Sequence, residues 1–287
     1  CNSGMQRNFI RMILNSTSDQ SMTTTDTTSE SPTVYCRNGD VARILLNRPD
    51  NLNAVTSELY AGIRDGLSRA EAEGALAVII EGVGQAFCVG ADMENHADTE
   101  RTTKERRDYV WQAQDTCKTM QTHSQPIIAQ VHGYAIGAGA ELALSADFIL
   151  MAEDAEIRFP EVGIGTFVGG GITYTLVQRV GSARAKELIL STACLSGEDA
   201  AEEGIVTAAY PESELDSATA DLAGDLAGNA PIPMSLAKSQ FARVGTATRE
   251  DMLTAEAEAL QACMSTDDWQ EGVDAFAENR EPEFRGR

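Results

Sequence analysis

Two glutamates, Glu141 and Glu161, stand twenty positions apart in the segment IIAQVHGYAIGAGAELALSADFILMAEDAEIRFPEVGIG, residues 127–165. Glu141 follows Gly137-Ala138-Gly139-Ala140, a run of small residues opening a predicted helix. Glu161 follows Arg158-Phe159-Pro160 at the end of a predicted strand. Paired carboxylates beside main-chain amides that a ligand can approach closely suit acid–base chemistry next to an activated carbonyl. Two segments offer such amides. In Gly90-Ala91-Asp92 a glycine ends a short strand and frees the Ala91 amide. At Gly137-Ala138-Gly139 a helix begins, and its first amides have no partner within the helix; the positive end of the helix dipole favours an anionic oxygen there. The Ala91 and Ala138 amides can therefore converge on one thioester oxygen and stabilise an enolate, each such donor contributing about 3–4 kcal/mol in the transition state.

Taken singly, each feature has a plainer explanation. Glycines permit tight strand-to-helix turns, a carboxylate in a first helical turn is favoured by the dipole, and two acids among 44 Asp and Glu carry little weight. Other chemistries lack their motifs: there is no GxSxG elbow, GxxxxGK phosphate loop, HExxH or GxGxxG. The glycines at Gly163, Gly165 and Gly169-Gly170-Gly171 do not have dinucleotide spacing. His96, His123 and His132 are too scattered for a sequence-evident metal site, so no metal is expected.

The elements that must position these residues begin near Val34. Val34–Arg37 and Val41–Leu46, joined by Asn38-Gly39-Asp40, read as a hairpin, and Asn47–Asn51 as a turn. Thr56 caps a helix carrying Leu59, Ile63 and Leu67 at intervals of four. Ala75–Ile80 reads as a buried strand and Phe87–Val89 as a short one. A polar loop covers about 94–104, before a helix with Val110, Ala113, Cys117 and Met120 on one face. Ile127–Val131, Phe148–Met151 and Glu156–Phe159 are predicted strands, with the Glu141 helix between the first two. Helices are expected over 182–192, 197–204, 212–228, 232–244, 248–263 and 267–279. Strand–strand–helix units recur, so the fold class is α/β, giving way to a helical packing or oligomerisation region. The expected division is a disordered tail over 1–33, too polar to offset its ordering entropy, a catalytic core over 34–210 and the helical region over 211–287. Cys1 is no initiator, and Met22 is the candidate start.

The chain has 287 residues and a net charge of −22, with only four lysines. That balance opposes nucleic acid as a partner, since phosphate binding needs a basic face. No apolar run approaches the roughly 18–20 residues of a membrane span. Six cysteines without CxxC pairs fit reduced thiols in a cytoplasm. The charge suits a high-salt cytoplasm, where ionic strength screens self-repulsion. The melting temperature is accordingly expected to rise with added KCl; greatest stability in dilute buffer would refute halophilic adaptation.

Taken together, the segments Leu46-Asn47-Arg48-Pro49-Asp50-Asn51-Leu52-Asn53-Ala54, Gln85-Ala86-Phe87-Cys88-Val89-Gly90-Ala91-Asp92-Met93, His132-Gly133-Tyr134-Ala135-Ile136-Gly137-Ala138-Gly139-Ala140-Glu141-Leu142-Ala143 and Phe159-Pro160-Glu161-Val162-Gly163-Ile164-Gly165 resemble the crotonase superfamily, that of the enoyl-CoA hydratases and isomerases. The resemblance covers about residues 36–287. It implies a spiral of ββα units, a helical C-terminal region, and trimers or hexamers built as dimers of trimers. It implies Ala91 and Ala138 as an oxyanion hole, with alanine where glycine is common at the second position. It implies Glu141 and Glu161 as the catalytic acids of a hydratase. Ala54, Ala91, Asp92, Met93, Glu94 and Ala138 are implied along the substrate path. The substrate is then an acyl-CoA thioester, coenzyme A being part of the substrate, with no separate cofactor.

Beyond Ala138, this chain departs from the family's common form at three places. Asn51 and Asn279 stand where relatives carry lysines, Arg280 being the neighbouring cation that can take the place of the second. The segment Thr166–Thr173 lacks the usual proline before its glycines, beside Glu161, where acyl selectivity is set in the family. Phe276 is a candidate cap for the acyl pocket, with ordinary helix packing an equal alternative. Enoyl-CoA isomerisation and dehydration of a specialised 3-hydroxyacyl-CoA are the alternatives within the family. A non-catalytic, RNA-binding relative is the alternative of another class; it predicts a basic surface and a lost acid.

Overall fold

The computed structural model describes residues 31–92 and 102–287. Most of the expected tail, with Met22, and most of the expected 94–104 loop lie outside the described residues. The hairpin forms as expected: β1 (Thr33–Asn38) pairs antiparallel with β2 (Val41–Leu46) around Gly39, whose φ of 57° suits the turn. From β2 onward the large sheet is parallel, through β3 (Ala77–Gly82), β4 (Ile127–Val131), β6 (Phe148–Ala152) and β9 (Ala208–Tyr210), in the order β1-β2-β3-β4-β6-β9. Every residue of β3 and β4 is buried, which is why both read as apolar runs without alternation.

A second, smaller sheet holds β5 (Tyr134–Ile136), β7 (Glu156–Arg158) and β8 (Cys194–Ser196) in that order. The strand–strand–helix recurrence has a spatial meaning. β4 and β6 lie in the large sheet, while their successors β5 and β7 turn out of it into the small one. The turn between β4 and β5 is close: a Cβ on Gly133 (φ 59°) would stand 2.0 Å from the Gln85 carbonyl oxygen. The expected strand at Phe87–Val89 is reduced to single bridges, Cys88 to Ala135 and, just beyond it, Ala91 to Val55.

α1 (Ser57–Ala72) is capped by Thr56, whose hydroxyl accepts from Leu59 N–H, and it buries Leu59, Ile63 and Leu67. α2 (Thr103–Thr122) starts inside the expected loop because Thr102 and Glu105 form a reciprocal capping box. α3 (Ala138–Leu144) carries Glu141. α4 (Ile172–Ser191) begins ten residues before the expected helix and changes direction at Gly181 (φ 75°, ψ 162°). Its first half is rich in β-branched Ile172, Thr173, Thr175 and Val177, weak helix formers whose burial overrides propensity at Ile172.

Beyond α5 (Gly197–Glu202) come α6 (Glu212–Ala227), α7 (Pro231–Phe241), α8 (Arg249–Cys263) and α9 (Asp267–Glu278). α6 buries Leu215, Thr219 and Ala223. It is also joined to the sheet by charge: Arg43 on β2 reaches Glu81 on β3 at 3.0 Å and Asp216 on α6 at 2.9 Å. Lys238 on α7 meets Asp147, ahead of β6, at 2.5 Å. α9 leaves Trp269, Val273 and Phe276 exposed, Phe276 at 90%. None of the described helices is long and apolar enough to cross a membrane.

Candidate functional site

The site is assembled from main chain first. Gly90 has φ 87°, and a Cβ there would lie 2.6 Å from the Ile136 carbonyl oxygen and 3.2 Å from the Ala138 nitrogen. Only glycine lets the segment before Ala91 lie against the segment before Ala138. Val55 N–H donates to the Gly90 carbonyl at 2.8 Å, fixing this stretch from its other side. Gly137 (φ 56°, ψ −121°) turns the chain from β5 into α3, donates to the Arg158 carbonyl at 2.9 Å and accepts from Glu141 N–H at 3.0 Å. Ala91 and Ala138 are thereby brought onto adjoining segments and are half-buried. Neither amide donates to an acceptor among the described residues.

The two carboxylates arrive from different elements. Glu141 lies in the first turn of α3 and is 6% exposed. Its Oε1 accepts from Gly169 N–H at 2.5 Å, and Gly170 lies so close that a Cβ on it would stand 2.9 Å from the Glu141 Cβ. Glu161 opens a 3-10 turn after Pro160 and is also 6% exposed. A Cβ on Gly137 would be 3.0 Å from its Oε1, and its buried Oε2 has no hydrogen-bond partner among the described residues. Burial raises the Glu141 pKa to about 7; the Gly169 N–H opposes the rise and the neighbouring Glu161 charge adds to it. Burial likewise raises Glu161. The Gly169 N–H lowers the cost of ionising Glu141, a donor that Glu161 Oε2 lacks among the described residues.

This burial has a stability consequence. Glu141 rises from 4.5 to about 7 on folding, so its proton-linked stability is fully present below pH 4.5 and is lost as pH rises through about 7. The cost at pH 8 is roughly 3 kcal/mol. Glu141→Gln removes it. The variant is expected to melt several degrees above wild type at pH 8, with the gap closing towards pH 5; calorimetry at both pH values checks this, and an equal gap at both would contradict it.

Of the other expected residues, Ala54 and Asp92 are brought together by Arg48, which donates to the Ala54 carbonyl at 2.5 Å and to Asp92 Oδ2 at 2.9 Å. Met93 and Glu94 lie outside the described residues. Arg280 directs its donors to Glu271, Glu278 and the Glu281 carbonyl, and Phe276 stands on the exposed face of α9. Sequence reasoning misses Arg48 as a clamp and Gly169 as a donor. The Asn-Arg-Pro turn and the glycine trio are visible in the sequence, but neither implies a partner distant along the chain.

Comparison with known proteins bears on the chemistry this arrangement serves. The family model described as enoyl-CoA hydratase/isomerase matches residues 36–287. The 2,3-dehydroadipyl-CoA hydratase of Escherichia coli (strain K12) is 30% identical over 257 residues, spanning 88% of this chain and 98% of that protein. The short-chain-enoyl-CoA hydratase of Clostridium acetobutylicum is 32% identical over 254 residues, spanning 88% of this chain and 97% of its own length. Among solved structures, an enoyl-CoA hydratase from Bacillus anthracis superposes with a TM-score of 0.85 at 30% identity, over 89% of this chain and 100% of that one. On these matches and its two-sheet architecture, the chain has the crotonase fold and belongs to the enoyl-CoA hydratase/isomerase family.

Proposed function

We propose that the protein adds water to a trans-2-enoyl-CoA to give a 3-hydroxyacyl-CoA, and catalyses the reverse dehydration. The observation that carries this reading is a pair of buried carboxylates in contrasting surroundings, Glu141 held by an N–H and Glu161 with an oxygen that has no partner among the described residues, next to two amides likewise without an acceptor among those residues. The thioester oxygen sits between the Ala91 and Ala138 N–H groups. Glu141, ionised, takes a proton from water as the hydroxyl bonds to C3, and the C2–C3 π electrons pass into the enolate held by the two amides. Glu161, protonated, gives its proton to C2 as the enolate collapses. Solvent exchange then restores the two starting protonation states. The amides serve better here than in water because they are already oriented where the charge develops.

The CoA moiety is assigned to the surface shaped by Ala54, Asp92, Met93 and Glu94. The exposed Trp269, Val273 and Phe276 face of α9 is assigned to packing between copies of the chain in a trimer or hexamer. The acidic protein is placed in a cytoplasm, with no nucleic-acid or membrane partner. Purified protein in high KCl, assayed against C4 to C16 2-enoyl-CoAs by loss of the conjugated thioester absorbance, tests the activity. Turnover of a 3-enoyl-CoA without formation of a 3-hydroxyacyl product would replace hydration by isomerisation.

A further inference from the structure

Gly169 can hold the Glu141 carboxylate only if the glycine loop itself is held. Three consecutive glycines precede α4, two of them with positive φ (60° at Gly170, 79° at Gly171). Such a stretch has no intrinsic preference for one path. One end is tied to the 3-10 turn, where Thr166 N–H donates to the Glu161 carbonyl at 2.9 Å. Within the glycines, Ile172 N–H returns to the Gly169 carbonyl at 3.0 Å, a bond internal to the turn that fixes its shape and not its position.

The position is set from α2. Gln121 Nε2 donates to the Gly170 carbonyl at 3.1 Å and lies 3.4 Å from Ser145 Oγ. Ser145 Oγ in turn donates to the Glu141 carbonyl at 2.7 Å. The path from Gln121 thus reaches Glu141 from two sides: through Gly170 and Gly169 to its carboxylate, and through Ser145 to its main chain. We propose that Gln121 is a positioning residue for hydration, holding the Gly170 carbonyl so that the Gly169 N–H stays on Glu141. This rests on the assignment of Glu141 as the base.

The titratable groups facing Glu141 are few. Among the described residues, besides Glu161, they are Tyr60 on α1, Cys117 on α2 and Cys88 between β3 and α2. Burial pushes the thiols of Cys88 and Cys117 up to about 12 and raises Tyr60 well above its usual range, so all three stay neutral between pH 6 and 9. The limb on which activity rises with pH therefore reports Glu141. A carboxylate that loses a donor to its charged form titrates higher, which moves that limb to higher pH.

The test is kcat against pH for crotonyl-CoA hydration by Gln121→Met and Gln121→Leu, both without the donor and neither adding a charge near Glu141. Both are expected to move the rising limb up by about one unit, cutting kcat at pH 7 up to about tenfold, with the ratio to wild type closing as pH rises past that limb. KM should change little. A general loss of packing would lower kcat at every pH alike and would not move the limb. A wild-type limb in either folded variant overturns the proposal, while full activity in Glu141→Gln would instead overturn the assignment of the base.

Discussion

Replacing Glu141 or Glu161 by glutamine is expected to lower kcat for crotonyl-CoA hydration by roughly 10²–10⁴-fold, the scale of a single lost general base or acid. KM should stay within a few-fold. Each change preserves shape: in Glu141→Gln the side chain would still offer an oxygen to Gly169 N–H, and in Glu161→Gln it would fill the same buried space. What each removes is a protonation state. The carboxamide in place of Glu141 cannot accept the proton of water at neutral pH, and the one in place of Glu161 cannot deliver a proton to C2. Because the two groups act on one transition state, the double variant should be much less impaired than the product of the single effects. Steady-state kinetics on the three variants check both statements; near-wild-type turnover in either single variant would remove that residue from the mechanism.

Ala138→Pro should be almost as damaging, for a different reason. Residue 138 is the first position of α3, where proline is tolerated because that N–H has no intrahelical partner. The preceding Gly137, at ψ −121°, is outside the α region that a following proline disfavours. The helix should therefore survive with its melting temperature close to wild type. The donor is gone, however, and the ring occupies the space of the incoming oxygen, so kcat should fall by about 10²–10³-fold or more. Ala138→Gly keeps the N–H and should stay within a few-fold of wild type. A fully active, folded proline variant would show that this amide does not face the thioester.

The hairpin, the capped helix at Thr56 and the buried strand at Ile127 were legible in the sequence, because alternation, capping and unbroken apolar runs are local signals. β5, β8 and β9 were not: three residues are too few to show a period, and their pairing is set by distant chain. The first half of α4 was hidden by β-branched residues and by the glycines before it. The glutamates and the two candidate amides were legible as types and spacing. Their surroundings were not. That Glu161 is 6% exposed could not be told from its sequence, which equally suits a solvated loop acid. The Gly169 donor and the Arg48 clamp, from Ala54 to Asp92, join residues far apart in the chain.

The contact at Gly90 makes the two candidate donors a single gauge. Their separation is fixed by main chain touching main chain, 2.6 Å from a virtual Cβ to the Ile136 oxygen, and no side chain enters that measurement. Substitutions elsewhere in the pocket can therefore drift without altering the spacing on which an oxyanion depends. For the proposed reaction this separates two tasks: side chains lining the pocket can change what is bound, while the gauge holds constant how a bound carbonyl would be polarised.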